Sequence, residues 1–130
     1  MLCDCDYEAP SVFRQWSVKA TVKPCKCDEC GALLQTGSSV ERVFCVYDGE
    51  PRSYTRCSGC NDFHDYALAH ISCLCFSFGS MISDVLDAAR EWSDEEPETG
   101  APELLDELSA KAQALFAKAK ASKAAPLTIP

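Results

Sequence analysis

Two C-x-x-C pairs, Cys27/Cys30 and Cys57/Cys60, sit in a chain with 10 cysteines among 130 residues, and they restrict its folding options more than any other feature. So dense a set of thiols points either to an oxidising compartment that forms disulfides or to a reducing one where thiolates hold metal. The chain opens Met1-Leu2-Cys3-Asp4-Cys5-Asp6, with two early acids and neither the basic start nor the apolar run of a secretory signal. No run of roughly 18 apolar residues marks a membrane span. The expectation is a cytoplasmic protein without a membrane segment, in which reduced thiols bind metal.

Tetrahedral zinc needs four soft ligands at one point, and a C-x-x-C turn presents two thiolates on the same side. Cys27, Cys30, Cys57 and Cys60 are therefore expected to hold one zinc ion, with the long stretch between the pairs occupied by a hairpin. Buried apolar thiols or redox pairs are the competing readings, but no βαβ pattern surrounds either pair as a thioredoxin-like site requires. The remaining cysteines are Cys3, Cys5, Cys25, Cys45, Cys73 and Cys75. Two C-x-C pairs among them, Cys3/Cys5 and Cys73/Cys75, form a second zinc site if the ends of the domain meet; otherwise they are small buried thiols. His70 could replace one of those ligands. Cys25 lies beside the first pair as a rival ligand, and Cys45, between Phe44 and Val46, reads as a core residue.

The flanking sequence supplies the elements. Val18-Lys19-Ala20-Thr21-Val22-Lys23 alternates with period two up to Pro24 and predicts a half-buried strand. It leads into the knuckle Cys25 to Gly31, where Gly31 suits a positive φ angle. Val40 to Tyr47 and Ser53 to Arg56, joined through Asp48-Gly49-Glu50-Pro51, predict a β-hairpin. Phe63, Ala67, Leu68 and Ile71 predict a helix from near Ser58, and Phe78, Met81, Ile82, Val85, Leu86 and Ala89 an amphipathic helix ending near Trp92. Ser93 to Pro102, with two prolines and four acids, reads as an exposed linker. Leu104, Leu105, Leu108, Ala112, Leu115, Phe116 and Ala119 mark a last helix whose acids lie at its start and lysines at its end, as the helix dipole favours. The expected organisation is a zinc-binding domain over 1–92, an acidic linker over 93–102, an amphipathic helix over 103–124 and a tail over 125–130.

A knuckle, a hairpin and a second C-x-x-C in the first turn of a helix resemble a treble-clef zinc finger over residues 22–72. The resemblance implies that Cys27 and Cys30 are the knuckle pair and Cys57 and Cys60 the helix pair of one site, in a small zinc-stabilised α+β domain followed by C-terminal helices. Residues 3–92 also look like small cysteine-rich proteins encoded by tailed bacteriophages and prophages. Cys3-Asp4-Cys5-Asp6, Val18-Lys19-Ala20 leading into Lys23-Pro24, Cys27-Asp28-Glu29-Cys30-Gly31, Tyr47-Asp48-Gly49 and the Cys57/Cys60 pair carry that likeness. It implies a bacterial-host cytoplasm and interference with a host machine, and supplies no catalytic residue. Cys25 and the segment from Ser93 to Pro130 depart from the pattern.

A site closed by four thiolates has no open position for water, so the metal is expected to be structural. An HNH-type nuclease on a similar scaffold needs a histidine near the hairpin, and the hairpin contains none. His64 and Asp65 are helical neighbours expected to diverge rather than form a dyad, so no enzyme is expected. The net charge of -8 disfavours broad affinity for polyphosphate. Arg14, Lys19, Lys23, Lys26, Arg42, Arg52 and Arg56, with Trp16, Tyr47 and Tyr54, would suit nucleic acid, but Asp28, Glu29, Glu41, Asp48 and Glu50 are interspersed and predict a mixed face. The last helix resembles a tethered docking element offering Leu104, Leu108, Leu115 and Phe116 to a partner, or else it packs back on the zinc core. The expectation is a non-catalytic zinc-binding protein with a protein partner, a phage-encoded modulator or inhibitor of a host machine. A nucleic-acid-binding zinc finger and an acidic nucleic-acid mimic are the alternatives.

Overall fold

The computed structural model describes residues 11–71 and 74–124. Within them the chain forms β1 (Val12–Val18), β2 (Cys25–Lys26), β3 (Leu33–Leu34), β4 (Val40–Tyr47), β5 (Glu50–Cys57), α1 (Ser58–His70), α2 (Met81–Glu95) and α3 (Ala101–Ala124), an α+β arrangement. The hairpin is fixed by its turn: Asp48 and Gly49 take φ angles of 51° and 77°. Two successive positive φ values give the type I′ geometry whose twist matches that of paired strands. β4 and β5 then pair antiparallel from Tyr47 opposite Glu50 to Val40 opposite Cys57. β1 joins the other edge of β4, so the strand order is β1-β4-β5.

Directly paired residues share a face, which divides this sheet into an inner and an outer side. Val43 and Cys45 point inward and are buried. Over them lies the connection between α1 and α2, where the Phe78 ring stacks on Tyr54 at 5.2 Å and on Phe13 at 6.1 Å. The outer face is buried at its Val40–Cys57 end, beside the cysteine cluster, and among the described residues it opens toward half-buried Arg42 and Phe44 and exposed Trp16. Cys45 is thus the core residue its apolar neighbours indicated.

The strand expected over Val18 to Lys23 is displaced, because β1 ends at Val18. Thr21 is 4% exposed while Val22 is 89% exposed, the reverse of a strand with valines inward. Thr21 is captured by a loop instead. Its N–H donates to the Ser38 carbonyl at 3.0 Å, its carbonyl accepts from Gly37 N–H at 2.8 Å, and its hydroxyl donates to Gln35 at 3.3 Å. Those bonds satisfy the backbone without a ladder partner.

The three helices and the cysteine pairs share one apolar cluster. α1 contributes Cys60, Phe63 and Ala67, α2 contributes Met81, Ile82, Val85 and Ala89, and α3 contributes Leu104, Leu108, Ala112 and Ala119. Leu68, whose spacing matched the stripe of α1, is instead 54% exposed. α2 continues through Ser93, Asp94 and Glu95, so the acidic stretch is helical in its first part. A short turn follows, held where Thr99 donates through its N–H and hydroxyl to the Glu96 carbonyl and Ala101 N–H donates to Thr99 Oγ1. α3 therefore folds back as the second arm of a helical hairpin and packs on α1 and α2. Its contact with α1 includes a hydrogen bond from Tyr66 to Glu107 and the Lys111 ammonium 4.5 Å from the Tyr66 ring centre. Among the described residues no helix is long and apolar enough to cross a membrane.

α2 is capped from outside itself. Ser80, at its N-cap, makes no side-chain cap bond. The Glu29 carboxylate instead accepts from Gly79 N–H and Met81 N–H, each at 3.1 Å, and so fills part of the orphan donor set of the first turn. Burial raises the Glu29 carboxyl above its ordinary range, against the pull of these two bonds. Replacing Glu29 by Gln puts an amide N–H against backbone donors and should cost about 1 kcal/mol. Urea denaturation midpoints check this, with Asp62→Asn on the exposed side of α1 expected to change little.

Candidate metal centre

Each cysteine pair is positioned by its local backbone. β2 and β3 pair at Cys25 with Leu34 and at Lys26 with Leu33, and this short ladder closes the knuckle. Inside it Cys27 N–H donates to Ala32 at 2.9 Å and Gly31 N–H donates to Cys27 at 3.0 Å. Gly31 adopts φ 80°, a left-handed conformation that glycine takes without a steric penalty. The turn sets Cys27 and Cys30 on one side. The other pair arises where β5 passes directly into α1: Cys57 is the N-cap residue, and its sulfur accepts from Cys60 N–H at 3.4 Å.

Asp28 brings the pairs together. Its N–H donates to the Thr55 carbonyl at 2.8 Å and its carboxylate accepts from Thr55 N–H at 2.6 Å, which docks the knuckle on the edge of β5. The sulfurs of Cys27, Cys30, Cys57 and Cys60 consequently lie within 4.8 Å of one another. The separations Cys27–Cys60 and Cys30–Cys57 are both 3.8 Å. A metal–sulfur bond of about 2.3 Å in a tetrahedron gives an edge of about 3.8 Å, so these sulfurs fit a tetrahedral ion. All four residues are buried, and Cys57 N–H adds a further hydrogen bond to the Cys27 sulfur at 3.3 Å.

The electrostatics favour a cation. When the sulfurs share only protons, hydrogen bonds with Cys30, Cys57 and Cys60 push Cys27 far below the ordinary thiol range. Cys60 is pushed well above it by the bond with Cys27 and those with Cys30 and Cys57, and Cys30 likewise by Cys27 and Cys57. Four sulfurs at this spacing cannot all ionise by themselves, whereas a divalent ion at their centre stabilises all four thiolates. Backbone donors at the start of α1 act in the same direction.

Cys25 lies on β2 outside the cluster, half-buried. Cys3, Cys5 and Cys73 lie outside the described residues; Cys75 is half-buried in the connection from α1 to α2. His70 Nδ1 lies 2.8 Å from the Tyr66 carbonyl, and its ring packs on Tyr66 at 4.4 Å. His64 and Asp65, expected to diverge, are joined instead, Nδ1 to Oδ1 at 3.0 Å. The Asp65 side chain turns back across its own helical step, and the His64 ring meets the edge of Phe76 at 5.4 Å.

Of the two readings of the last helix, docking on a partner or packing back on the zinc core, the structure shows the second: α3 walls the centre. Leu115 comes so near Gly59 that a β-carbon there would meet its Cδ2 at 2.9 Å. Ser122 Oγ accepts from Leu33 N–H at 3.0 Å, and the Lys123 ammonium reaches the Gly31 turn. A cleft of about 360 Å³ remains between β3 and α3, with Cys30 and Cys57 on one side and Leu115 and Lys118 on the other. Fold and site together define an α+β protein with a buried cluster of four cysteines spaced to hold a metal ion. No family model matches the sequence, and no curated protein or solved structure matches it either.

Proposed function

We propose that the cluster holds one structural zinc ion and that the protein is a non-catalytic binding module acting by contact with another macromolecule. The observation that carries this reading is the closed tetrahedron: four buried sulfurs at zinc-compatible spacing supply every ligand position. A catalytic zinc keeps one position for water or substrate. The order of knuckle, hairpin and helix with Cys57 as its N-cap supports a treble-clef assignment. The likeness of residues 3–92 to phage-encoded cysteine-rich proteins supports a host machine as the setting.

Cobalt substitution tests the closed site. The visible spectrum of the cobalt form should be that of tetrahedral thiolate coordination and should not respond to azide, phosphate or added thiol; a response reveals an open position and overturns the structural role. Native mass spectrometry of the zinc form counts the ions. A second ion that disappears both from the Cys3→Ser/Cys5→Ser variant and from the Cys73→Ser/Cys75→Ser variant assigns the two C-x-C pairs as its ligands, while a single ion leaves them as ordinary thiols.

Leu104 and Leu108 of α3 are buried against the other helices and Leu115 is half-buried, which leaves Phe116, 48% exposed, as the open member of the set.

A further inference from the structure

The register of the larger sheet segregates charges that are mixed in sequence. β1 places Arg14 opposite Phe44 and Trp16 opposite Arg42, and all four belong to the outer face. Glu41, the sequence neighbour of Arg42, and Glu50, beyond the hairpin turn, pair with Arg56 and Tyr47 on the inner face. The outer positions of the three strands include no carboxylate, in a chain whose net charge is -8. Asp48 is confined to the hairpin tip, and at the β5 edge the Asp28 carboxylate accepts from Thr55 N–H.

The four side chains form a crossed pattern. Each aromatic ring stands cross-strand from an arginine, and Trp16 and Phe44 lie on one diagonal while Arg14 and Arg42 lie on the other. Diagonal neighbours on a sheet are about 7–8 Å apart, within reach of large side chains. Trp16 is 46% exposed and Arg14 is exposed, while Phe44 and Arg42 are half-buried with one edge open. Among the described residues neither arginine takes part in an ion pair.

We propose that this outer face binds single-stranded nucleic acid, with Trp16 and Phe44 stacking on bases and Arg14 and Arg42 contacting the phosphates between them. Unpaired bases offer flat π-faces to sheet aromatics, and guanidinium groups pair well with phosphate oxygens. The charge pattern selects this occupant: the face is cationic where the rest of the chain is acidic, so an anionic ligand is drawn to it and away from the helices. A duplex hides its base faces and should bind more weakly. The proposal names the partner of the binding module above and rests on that reading for the folded scaffold alone.

The test uses the full chain loaded with zinc. Fluorescently labelled single strands of RNA and of DNA, mixed in sequence and about 12 nucleotides long, match the usual span of such surfaces. Binding read by anisotropy at low salt should be accompanied by quenching of Trp16, and Trp16→Ala should remove the quench although Trp92 remains. Loss of one stacked base should weaken binding roughly 5- to 100-fold. Arg14→Ala with Arg42→Ala should flatten the dependence of log affinity on log salt by about 1.4, the value for two phosphate contacts on a single strand.

Zinc content and melting of the same samples report the scaffold separately, so loss of the fold is not mistaken for loss of the surface. Three outcomes overturn the proposal. The first is absence of binding by a zinc-replete, folded chain. The second is binding indifferent to both sets of substitutions. The third is polyglutamate quenching Trp16 at the same concentrations as the oligonucleotides, which assigns the face to an acidic polypeptide instead.

Discussion

Thorough chelation at neutral pH should abolish the cooperative melting transition of the protein, and returning zinc should restore it. Structural zinc contributes on the order of 10 kcal/mol or more to folding, comparable to the entire stability of an ordinary domain. The geometry makes the dependence direct. Cys27, Cys30, Cys57 and Cys60 belong to the same apolar cluster as the three helices, so removing the ion leaves four sulfurs crowded in the core itself. Cys60→Ser, at a fully buried ligand, should mimic chelation, whereas Cys25→Ser, outside the cluster, should melt within a few degrees of the parent protein. Acid should act in the same direction as the chelator. Cys30 and Cys60 retain their protons when no cation competes for them, since their thiols are pushed upward by the neighbouring sulfurs. Metal entry must expel at least those protons, so affinity should fall by about two decades per pH unit as pH is lowered. Circular dichroism melting with a chelator, and competition against a metal indicator across pH, measure both effects. An unchanged melt after verified metal removal refutes the zinc scaffold.

Leu108→Ala should lower stability by about 2–5 kcal/mol, the range for truncating a fully buried leucine. Leu108 is 0% exposed and lies in the cluster shared by α1, α2 and the cysteine pairs. At roughly 4 °C per kcal/mol for a domain of this size, the melting temperature should fall by about 10 °C or more. Phe116 on the same helix is 48% exposed, and Phe116→Ala should be nearly silent. The contrast tests the placement of α3, because a helix held out for a partner would leave the isolated protein insensitive to both changes. Equal, small effects would refute packing of α3 on the core.

The legible parts of the sequence were those governed by local chemistry. Asp48-Gly49 announces its own turn type, whereas the unbroken apolar run from Val43 to Tyr47 does not say which side of β4 faces inward. The cysteine pairs revealed their convergence because C-x-x-C spacing is a property of a single turn. β1 is illegible in the sequence because Arg14, Gln15 and Ser17 break any clean apolar rhythm, while the alternating run from Val18 to Lys23 is fixed by the hydrogen bonds of Thr21. The separation of Glu41 from Arg42 was equally out of reach. It follows from which strands pair, and no window along the chain contains that fact. The cover over α3 also depends on tertiary contact, for an amphipathic stripe states that it needs a neighbour without saying which.

The hydrogen bond from Leu33 N–H to Ser122 joins positions 89 residues apart and sets a timetable for assembly at the ribosome. Cys57 and Cys60 leave the exit tunnel well before Leu115, Lys118 and Ser122 are synthesised, so both cysteine pairs can meet while the side later occupied by α3 is still open to water. The ion can thus be captured by a half-built protein, and the final helical turns then close over it. On the zinc reading proposed above, metal loading becomes a step of biosynthesis, and a finished chain should exchange its ion only as fast as that last helix lifts away.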